Sequence, residues 1–387
     1  MARPATEELR RRNRSALLDQ LHRRGPQTRA ELTEALGVNR STIGALASDL
    51  SRSGHIRETT GRPTGAAGRP STLVECIAEA AKVAAVEIRA GLVRLAVVGL
   101  GGAVLERAEA PLEAGVDGAQ AASAVARLLG DAQVSDAVAA VPGLVDAVAA
   151  PSAVDRSTAA ASVAAHADVD RSVVARSSEL GWVERDFGAD LHEATGRRWR
   201  VVDTATAAAV GEWSRGDAGD SENLLYLHGG RGLTAGVAVG GRPRRGSSIA
   251  LGHLVVDPEG AVCPCGLRGC LEAEMGAVEY AEMIETTTVA AWMGDRVARE
   301  TMQRSGEYLG RALGAVVTAV NPDEVLFGGW LRELYLASAA TVRSSLATAA
   351  LPQLRQRLRL RTPALGAEGP LLGAAETGFE ALIDGMR

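Results

Sequence analysis

The chain has 387 residues, of which 46% are apolar, and a formal charge of −5 at pH 7. This length exceeds one ordinary core and predicts two or three domains. No stretch approaches about 18 uninterrupted apolar residues, and no apolar segment follows the basic start MARPATEELRRRNR, which argues against a membrane span and a secretory signal. We therefore expect a cytoplasmic protein.

The charge is unevenly distributed along the chain. Residues 1–75 contain 13 Arg against 8 Asp and Glu, a balance of +5, so the remainder carries −10. A basic head on an acidic body suits a nucleic-acid-binding domain fused to a body that avoids phosphate backbones, with chance in an Arg-rich chain as the alternative. Lys82 is the only lysine, which excludes a Walker-type phosphate loop.

Three helices are predicted near the N-terminus. The first covers residues 5–24. Thr28 as N-cap and Glu31 three residues later form a capping box for the second helix. The third covers residues 40–54 and is followed by a short strand at 55–60. Two helices joined by a short turn, with a glycine at that turn, are typical of a helix-turn-helix.

The start of the third helix is the predicted DNA-reading element. In such a unit the second helix enters the major groove, and its N-terminal residues reach base edges. The residues there can all hydrogen-bond bases or phosphates: Asn39, Arg40, Ser41 and Thr42. Arg62 and Arg69, both in Gly-Arg-Pro contexts, suit a wing or a minor-groove arm. The alternative is a three-helix packing domain with a polar linker.

From about Leu73 onward the sequence alternates strand and helix patterns. Residues 83–112 predict two or three strands with tight Gly turns, and 272–348 is mostly helical around a strand at 324–329. The fold class is therefore α/β, and the length of this body predicts two lobes.

Three of the four cysteines lie within eight residues of each other, downstream of a histidine. The four candidate ligands are His253, Cys263, Cys265 and Cys270. Structural Zn²⁺ prefers four such ligands in tetrahedral geometry, and a closed set leaves no position for a catalytic water. Gly266 and Gly269 allow the reversal that returns Cys270 beside Cys265. Buried free thiols, the alternative, explain one cysteine better than three at this spacing, so we predict a structural zinc site.

The chain resembles the ROK family of repressors and sugar kinases, whose signature is matched by LGHLVVDPEGAVCPCGLRGCLEAE (251–274). Further similar segments are VPGLVD (141–146), LGW (180–182), VVDTATAAAVGEW (201–213), RGLTAGVAVGGRPRRG (231–246) and AVNPDEVLFGG (319–329). The head, which ends in AGRPS, is similar to that of ROK repressors. The resemblance implies an actin-like ATPase fold with two ribonuclease-H-like lobes and a ligand in the cleft between them.

The same resemblance divides the chain into three parts. Residues 1–72 would form a winged helix-turn-helix with its wing and linker, 73–205 the first lobe, and 206–387 the second lobe with the zinc motif and the C-terminal helix. It also implies a homodimer or homotetramer, which would fit paired half-sites on DNA.

The resemblance to ROK kinases is incomplete at the phosphate loops and at the catalytic base. The Asp-x-Gly-Gly-Thr loop of the kinases is matched here by Glu-Ile-Arg-Ala-Gly at 87–91, and the second phosphate loop survives in part at 232–236. In kinases an Asn-Asp-Ala-Asn motif stands nine residues before a Glu, and its Asp is the general base. Counting back from Glu212 places Asp203 at the Asn position and Thr204 at the Asp position. A one-residue slip would make Asp203 the base, but the flanking residues argue against it, so we expect no phosphoryl transfer.

The resemblance assigns a ligand pocket to Asp203, Thr204, His253 and Glu272. Ala250 stands where the family has a sugar-binding Glu, so one carboxylate is missing. Three outcomes remain open: an altered sugar or sugar phosphate, a different small molecule, or no ligand. For Glu272 the alternative is a helix N-terminal carboxylate favoured by the helix dipole.

These patterns favour a sequence-specific DNA-binding transcriptional regulator, a repressor, whose carbohydrate-sensing body has no enzymatic activity. Its partner would be double-stranded operator DNA, to which it would bind at the nucleoid. The rival hypothesis is a ROK sugar kinase, with ATP-dependent hexose phosphorylation, that carries an appended DNA-binding head.

Overall fold

The computed structural model describes residues 3–60, 72–113, 115–146, 173–244, 248–276, 287–288, 290–291 and 293–385. Over these residues the chain forms a helical head with a small sheet, followed by a body with two five-stranded sheets. The predicted α/β body is confirmed. Within the described ranges, no helix is long and apolar enough to cross a membrane.

The head contains three helices and three short strands. Its elements are α1 (Arg3–Arg24), β1 (Gln27–Thr28), α2 (Arg29–Leu36), α3 (Arg40–Arg52), β2 (Ile56–Thr60) and β3 (Thr72–Cys76). The strands pair antiparallel in the order β1-β3-β2 beside the helices, which gives a winged helix-turn-helix. Strand β3, which begins at Thr72, pairs with both other strands of the head.

The first lobe follows directly. Its elements are β4 (Lys82–Arg89), β5 (Leu92–Gly99), β6 (Val104–Pro111), α4 (Gly118–Leu129), β7 (Asp136–Val141), β8 (Leu144–Asp146), β9 (Val173–Ser177), β10 (Trp182–Asp186), α5 (Phe187–Thr195) and β11 (Arg200–Asp203). The main sheet has the order β11-β7-β4-β5-β6, and β8, β9 and β10 form a small separate sheet.

The remaining elements complete the second lobe and the C-terminal helix. They are α6 (Thr204–Ser214), β12 (Asn223–Gly229), β13 (Leu233–Val239), β14 (Arg242–Pro243), α7 (Leu271–Met275), α8 (Arg296–Val320), β15 (Glu324–Gly329), α9 (Leu331–Ala349), α10 (Pro352–Arg355), β16 (Arg359–Arg361) and α11 (Gly369–Asp384). The sheet has the order β14-β13-β12-β15-β16.

The two main sheets have the same plan. In each, three antiparallel strands come first in the chain, and two later strands then add parallel to the first one. The body therefore repeats one topology twice, although no internal repeat is visible in its sequence. Such a repeat fits two similar lobes that face each other across a cleft.

Two helices, α6 and α11, pack against each other through glycines. A Cβ atom on Gly373 would lie 1.6 Å from the carbonyl oxygen of Ala207, so only glycine allows this approach. Helix α11 also packs on β4 and β7 of the first sheet. The C-terminal helix, which the sequence assigns to the second lobe, therefore also contacts the first one, because its apolar side chains Leu371 and Phe379 join that core.

The head and the first lobe share one hydrophobic core. Leu17, Leu21 and Ile43 of the head are fully buried in the same cluster as Val98 and Phe379 of the body. Burial of this kind stabilises by roughly 1.5–3 kcal/mol per large side chain. The head is therefore packed onto the body rather than joined to it by a linker alone.

Candidate functional sites: reading helix, Cys3His cluster and interlobe cleft

The helix-turn-helix is fixed by caps at both ends of α2. The Thr28 hydroxyl accepts a hydrogen bond from the Glu31 N–H at 3.2 Å, and the Glu31 carboxylate accepts one from the Thr28 N–H at 2.6 Å. This is the predicted capping box. At the other end Gly37 adopts the left-handed conformation, with φ of 62°, and turns the chain toward α3.

The start of α3 presents the predicted DNA-contacting residues in different roles. Asn39 is the N-cap: its side-chain oxygen accepts hydrogen bonds from the Thr42 N–H at 2.8 Å and from the Ser41 hydroxyl at 2.7 Å. Arg40 is exposed and forms no hydrogen bond or ion pair with the described part of the chain. The predicted wing residues Arg62 and Arg69 lie outside the described residues.

The cysteine and histidine ligands predicted from the sequence come together in space. One ligand atom from each of His253, Cys263, Cys265 and Cys270 lies within 4.8 Å of all the others. The Sγ atoms of Cys265 and Cys270 are 3.6 Å apart, and Nδ1 of His253 is 3.7 Å from Sγ of Cys263. Tetrahedral zinc with bonds of about 2.0–2.3 Å separates its ligand atoms by roughly 3.5–3.8 Å. The four residues therefore fit a structural zinc ion.

Backbone geometry explains how the three cysteines meet. Gly266 and Gly269 have φ of 94° and 70°, the left-handed region that glycine tolerates, as the sequence predicts. A Cβ atom on Gly269 would lie 1.5 Å from the carbonyl oxygen of Asp257, so a larger residue there would displace the loop. The backbone of Cys270 also forms an isolated antiparallel β-bridge with Val255.

In the absence of a metal ion, the pKa values of two of the cluster's thiols are shifted in opposite directions. The backbone N–H of Leu267 lowers the pKa of Cys265, whereas burial raises the pKa of Cys270 to about 12. Thiolates are the form that binds zinc, so metal binding would release the proton that Cys270 otherwise keeps.

The cluster lies beside a cleft between the lobes. Its lining includes Arg176, Ser178 and Glu179 from the first lobe and His228, Gly232, Ala250, His253 and Glu272 from the second. His253 belongs to both the metal cluster and the cleft, and its Nδ1 is 3.2 Å from Oε1 of the cleft residue Glu272. A Cβ atom on Gly252 would lie 2.3 Å from Glu272 Oε2, which shows how closely this carboxylate is enclosed.

Two of the predicted ligand residues do not line this cleft. Asp203 is 4% exposed and caps α6: one oxygen accepts from the Thr206 N–H at 2.8 Å and the other from the Ser248 hydroxyl at 2.6 Å. Burial raises the pKa of Asp203 despite these bonds. Thr204 is 1% exposed, and its hydroxyl has no hydrogen-bond partner among the described residues. The helix start that carries both residues is covered, which the sequence pattern alone did not indicate.

A residue that the sequence did not single out, Glu179, joins the two lobes. Its Oε1 accepts a hydrogen bond from the Ala90 N–H at 2.9 Å, in the turn between β4 and β5. Its Oε2 accepts from the Arg231 N–H at 3.3 Å, in the turn between β12 and β13. The only sequence signal near it is the adjoining LGW segment at 180–182.

A buried polar network connects the head to α11. Nε2 of His22 in α1 lies 3.0 Å from Oε2 of Glu376, and Nε of Arg215 donates to Oε1 of the same carboxylate at 2.8 Å. Nδ1 of His22 accepts from the Gly101 N–H at 2.9 Å. Burial opposes ionisation of Glu376, but its interactions with His22 and Arg215 outweigh that effect and lower its pKa to about 2.

The fold and these sites define a two-lobed, actin-like body that carries an N-terminal winged helix-turn-helix. The chain belongs to the ROK family, whose family model matches residues 83–377. It is 22% identical to the xylose repressor of Bacillus subtilis (strain 168), with 96% of each chain covered. It is 26% identical to the xylose repressor of Bacillus spizizenii over 52% of this chain, a match that spans 56% of that relative.

Solved structures show the same fold. A ROK family transcriptional regulator described as a homolog of the E. coli MLC protein superposes with a TM-score of 0.74 at 22% identity, covering 98% of both chains. A ROK family glucokinase from Streptomyces griseus, in complex with glucose and AMPPNP, gives a TM-score of 0.60 at 22% identity, covering 77% of this chain and 99% of the kinase. The regulator thus matches nearly the whole chain, whereas the kinase matches about three quarters of it.

Proposed function

We propose that this protein is a sequence-specific DNA-binding transcriptional repressor whose ROK body senses a small carbohydrate-like effector. The observation that carries the proposal is the exposed Arg40 at the start of α3, on a winged helix-turn-helix that is packed onto a two-lobed body. The repressor names of the Bacillus relatives support the same function for this chain.

Arg40 occupies a position that favours an anionic partner. The N-terminus of a helix carries the positive end of its dipole, and a cation there costs about 0.3–1 kcal/mol. The first turn of α3 contains no acidic residue that would offset this cost. A DNA phosphate or a guanine edge would supply the missing acceptor. Ser41 and Thr42 would add hydrogen bonds nearby, and Asn39 would act mainly by fixing the start of the helix.

The Cys3His cluster would contribute to effector sensing by fixing the position of residues at the cleft. Zinc at His253, Cys263, Cys265 and Cys270 would fix the loop that places His253 and Glu272 at the cleft. A carboxylate such as Glu272 accepts hydrogen bonds from the hydroxyls of a sugar. Ala250, which also lines the cleft, stands where ROK kinases have a sugar-binding Glu. The cleft therefore has one acceptor fewer and more apolar surface, so the effector would differ from the substrate of a hexokinase.

Transmission from cleft to head would run through α6 and α11. Ser248, two residues before the cleft-lining Ala250, donates a hydrogen bond to Asp203, the N-cap of α6. Helix α6 packs tightly on α11 through Gly211 and Gly373. Helix α11 then contacts the head through Glu376 and His22. An effector that changes the angle between the lobes would therefore move the head, and in a homodimer or homotetramer it would change the spacing of the paired heads.

The kinase alternative lacks a base in the expected place. Thr204, which the family resemblance places at the position of the catalytic Asp, is buried, and its hydroxyl cannot serve as a general base at neutral pH. Asp203, the alternative base, has both oxygens engaged by Thr206 and Ser248. We expect no ADP release when the protein is incubated with ATP, Mg²⁺ and a panel of hexoses.

The deciding experiment is capture of genomic DNA fragments by the purified protein at two salt concentrations. Enrichment of a palindromic or two-half-site motif that survives the higher salt would support the proposal, and the neighbouring genes would nominate effectors for thermal-shift screening. Diffuse binding that disappears at the higher salt would overturn the proposal, because the head would then bind the phosphate backbone without sequence specificity. The variant Arg40→Ala, captured in parallel, should recover less of the motif-bearing DNA.

A further inference from the structure

Two hairpin turns, one from each lobe, direct backbone N–H groups at the same carboxylate. The turn between β4 and β5 contributes the Ala90 N–H at 2.9 Å, and the turn between β12 and β13 contributes the Arg231 N–H at 3.3 Å. Both bonds end on Glu179, one on each oxygen. Convergent backbone N–H groups in glycine-containing turns form concavities that bind anions. In this protein the anion bound by the two N–H groups is the side-chain carboxylate of Glu179.

The surroundings of Glu179 are shaped for this carboxylate. A Cβ atom on Gly230 would lie 2.6 Å from Glu179 Oε2, so the glycine leaves the space that the carboxylate fills. His228 lines the same cleft, and its Nδ1 is buried without a hydrogen-bond partner in the described part of the chain. Burial lowers the pKa of His228, so its ring is neutral and does not add a charge. Arg89, the last residue of β4, directly precedes the donor Ala90 in the chain, and its Nε lies 3.9 Å from Glu87 Oε1.

From this geometry we infer that Glu179 is a specificity-determining residue: it permanently occupies the anion-binding position between the lobes and so excludes phosphate-bearing ligands from the cleft. A phosphate group would need the same two N–H donors and would meet a carboxylate already bound there. The effector class is therefore an uncharged polyhydroxylated molecule rather than a nucleotide or a sugar phosphate. This ligand class rests on the proposed function, whereas the occupied anion position does not.

The test is phosphate binding by the full-length, zinc-loaded protein and by Glu179→Ala. Inorganic phosphate and ADP are titrated by calorimetry into both proteins in a chloride buffer. Wild type should give no binding isotherm at millimolar ligand. Glu179→Ala, which frees both N–H groups and leaves Arg89 nearby, should give a measurable isotherm, with an affinity at least about tenfold above the detection limit for wild type. The control Glu106→Ala removes one charge from the exposed edge strand β6, far from either turn, and should behave as wild type.

Glu179→Gln provides a second variant of unchanged size in case the alanine protein does not fold. Its neutral amide keeps one acceptor oxygen but turns an NH2 group toward the other N–H donor, so the anion position is partly released and phosphate binding should again appear. Phosphate binding by wild type, or continued exclusion of phosphate by a folded Glu179 variant, overturns the inference. Operator capture is measured separately, so a protein that reads DNA and yet binds phosphate would reject this inference and leave the proposed function intact.

Discussion

The imidazole of His22 lies 3.0 Å from the carboxylate of Glu376, although 354 positions separate the two residues in the sequence. Both side chains are almost completely buried, with 1% and 6% exposed. One belongs to the first helix of the DNA-binding head and the other to the helix that contacts both lobes of the body. This pair, together with Arg215, therefore holds α1 of the head on α11 of the body, so a movement of one helix would also move the other.

Replacing Glu376 by Gln should lower the free energy of unfolding by about 3–5 kcal/mol, because Arg215 then stays buried without its carboxylate partner. Chemical denaturation at pH 7 measures the change. The matched control is Glu380→Gln, one turn further along α11, where the carboxylate is more exposed and 3.3 Å from Arg242. A surface pair of this kind should contribute about 1 kcal/mol or less. Equal effects of the two substitutions would contradict the central role of the His22–Glu376 pair.

The same carboxylate should make stability depend on acid pH. The pKa of Glu376 is lowered from 4.5 to about 2 in the folded protein. Its contribution is therefore complete above pH 4.5 and is lost as the pH falls toward 2, because the unfolded chain then binds the proton first. The loss amounts to roughly 3 kcal/mol. Unfolding curves of zinc-free wild type and Glu376→Gln should converge over this range, and a constant gap between them would refute the prediction.

Cys265→Ser should abolish zinc binding. Purified wild type should contain about one zinc per chain and the variant almost none, since a serine hydroxyl is a poor replacement for a thiolate ligand. Cys76→Ser is the matched control, because Cys76 lies in β3 of the head, outside the cluster. Metal analysis by atomic emission and thermal melts with and without a chelator measure both effects. Undiminished zinc in the Cys265 variant would remove the cluster from the description of the cleft.

Local features of this chain follow from its sequence, whereas its long-range contacts do not. The Thr28–Glu31 capping box and the left-handed Gly266 and Gly269 depend on residues within a few positions of each other, so their patterns predict them correctly. The three cysteines of the Cys3His cluster also lie close together in the sequence, between residues 263 and 270. Each of these motifs has a local steric or hydrogen-bonding cause.

The burial of Asp203 depends instead on Ser248, 45 positions away, and the bridge made by Glu179 depends on turns from two different lobes. The same is true of α11, whose Gly373 packs on α6 of the second lobe while its apolar side chains join the core of the first lobe. No pattern within a single segment of the sequence specifies such pairings.

Arg40→Ala should weaken binding to the operator by about 1–3 kcal/mol if the guanidinium contacts a base, and binding should become less selective at that base pair. If it contacts a phosphate instead, affinity should fall on all sequences alike and the slope of log affinity against log salt should decrease by about one. Fluorescence anisotropy with operator and scrambled duplexes at several salt concentrations separates the two outcomes.

The body supplies the control for this measurement. Arg296→Ala removes another exposed guanidinium, whose ion-pair partner is Glu300, one turn further along α8, and should leave DNA affinity unchanged. The Arg40 variant should also fold at least as stably as wild type, because it relieves a cation at the positive end of α3. A fully folded Arg40→Ala protein with wild-type affinity, selectivity and salt dependence would show that α3 does not enter the groove as proposed.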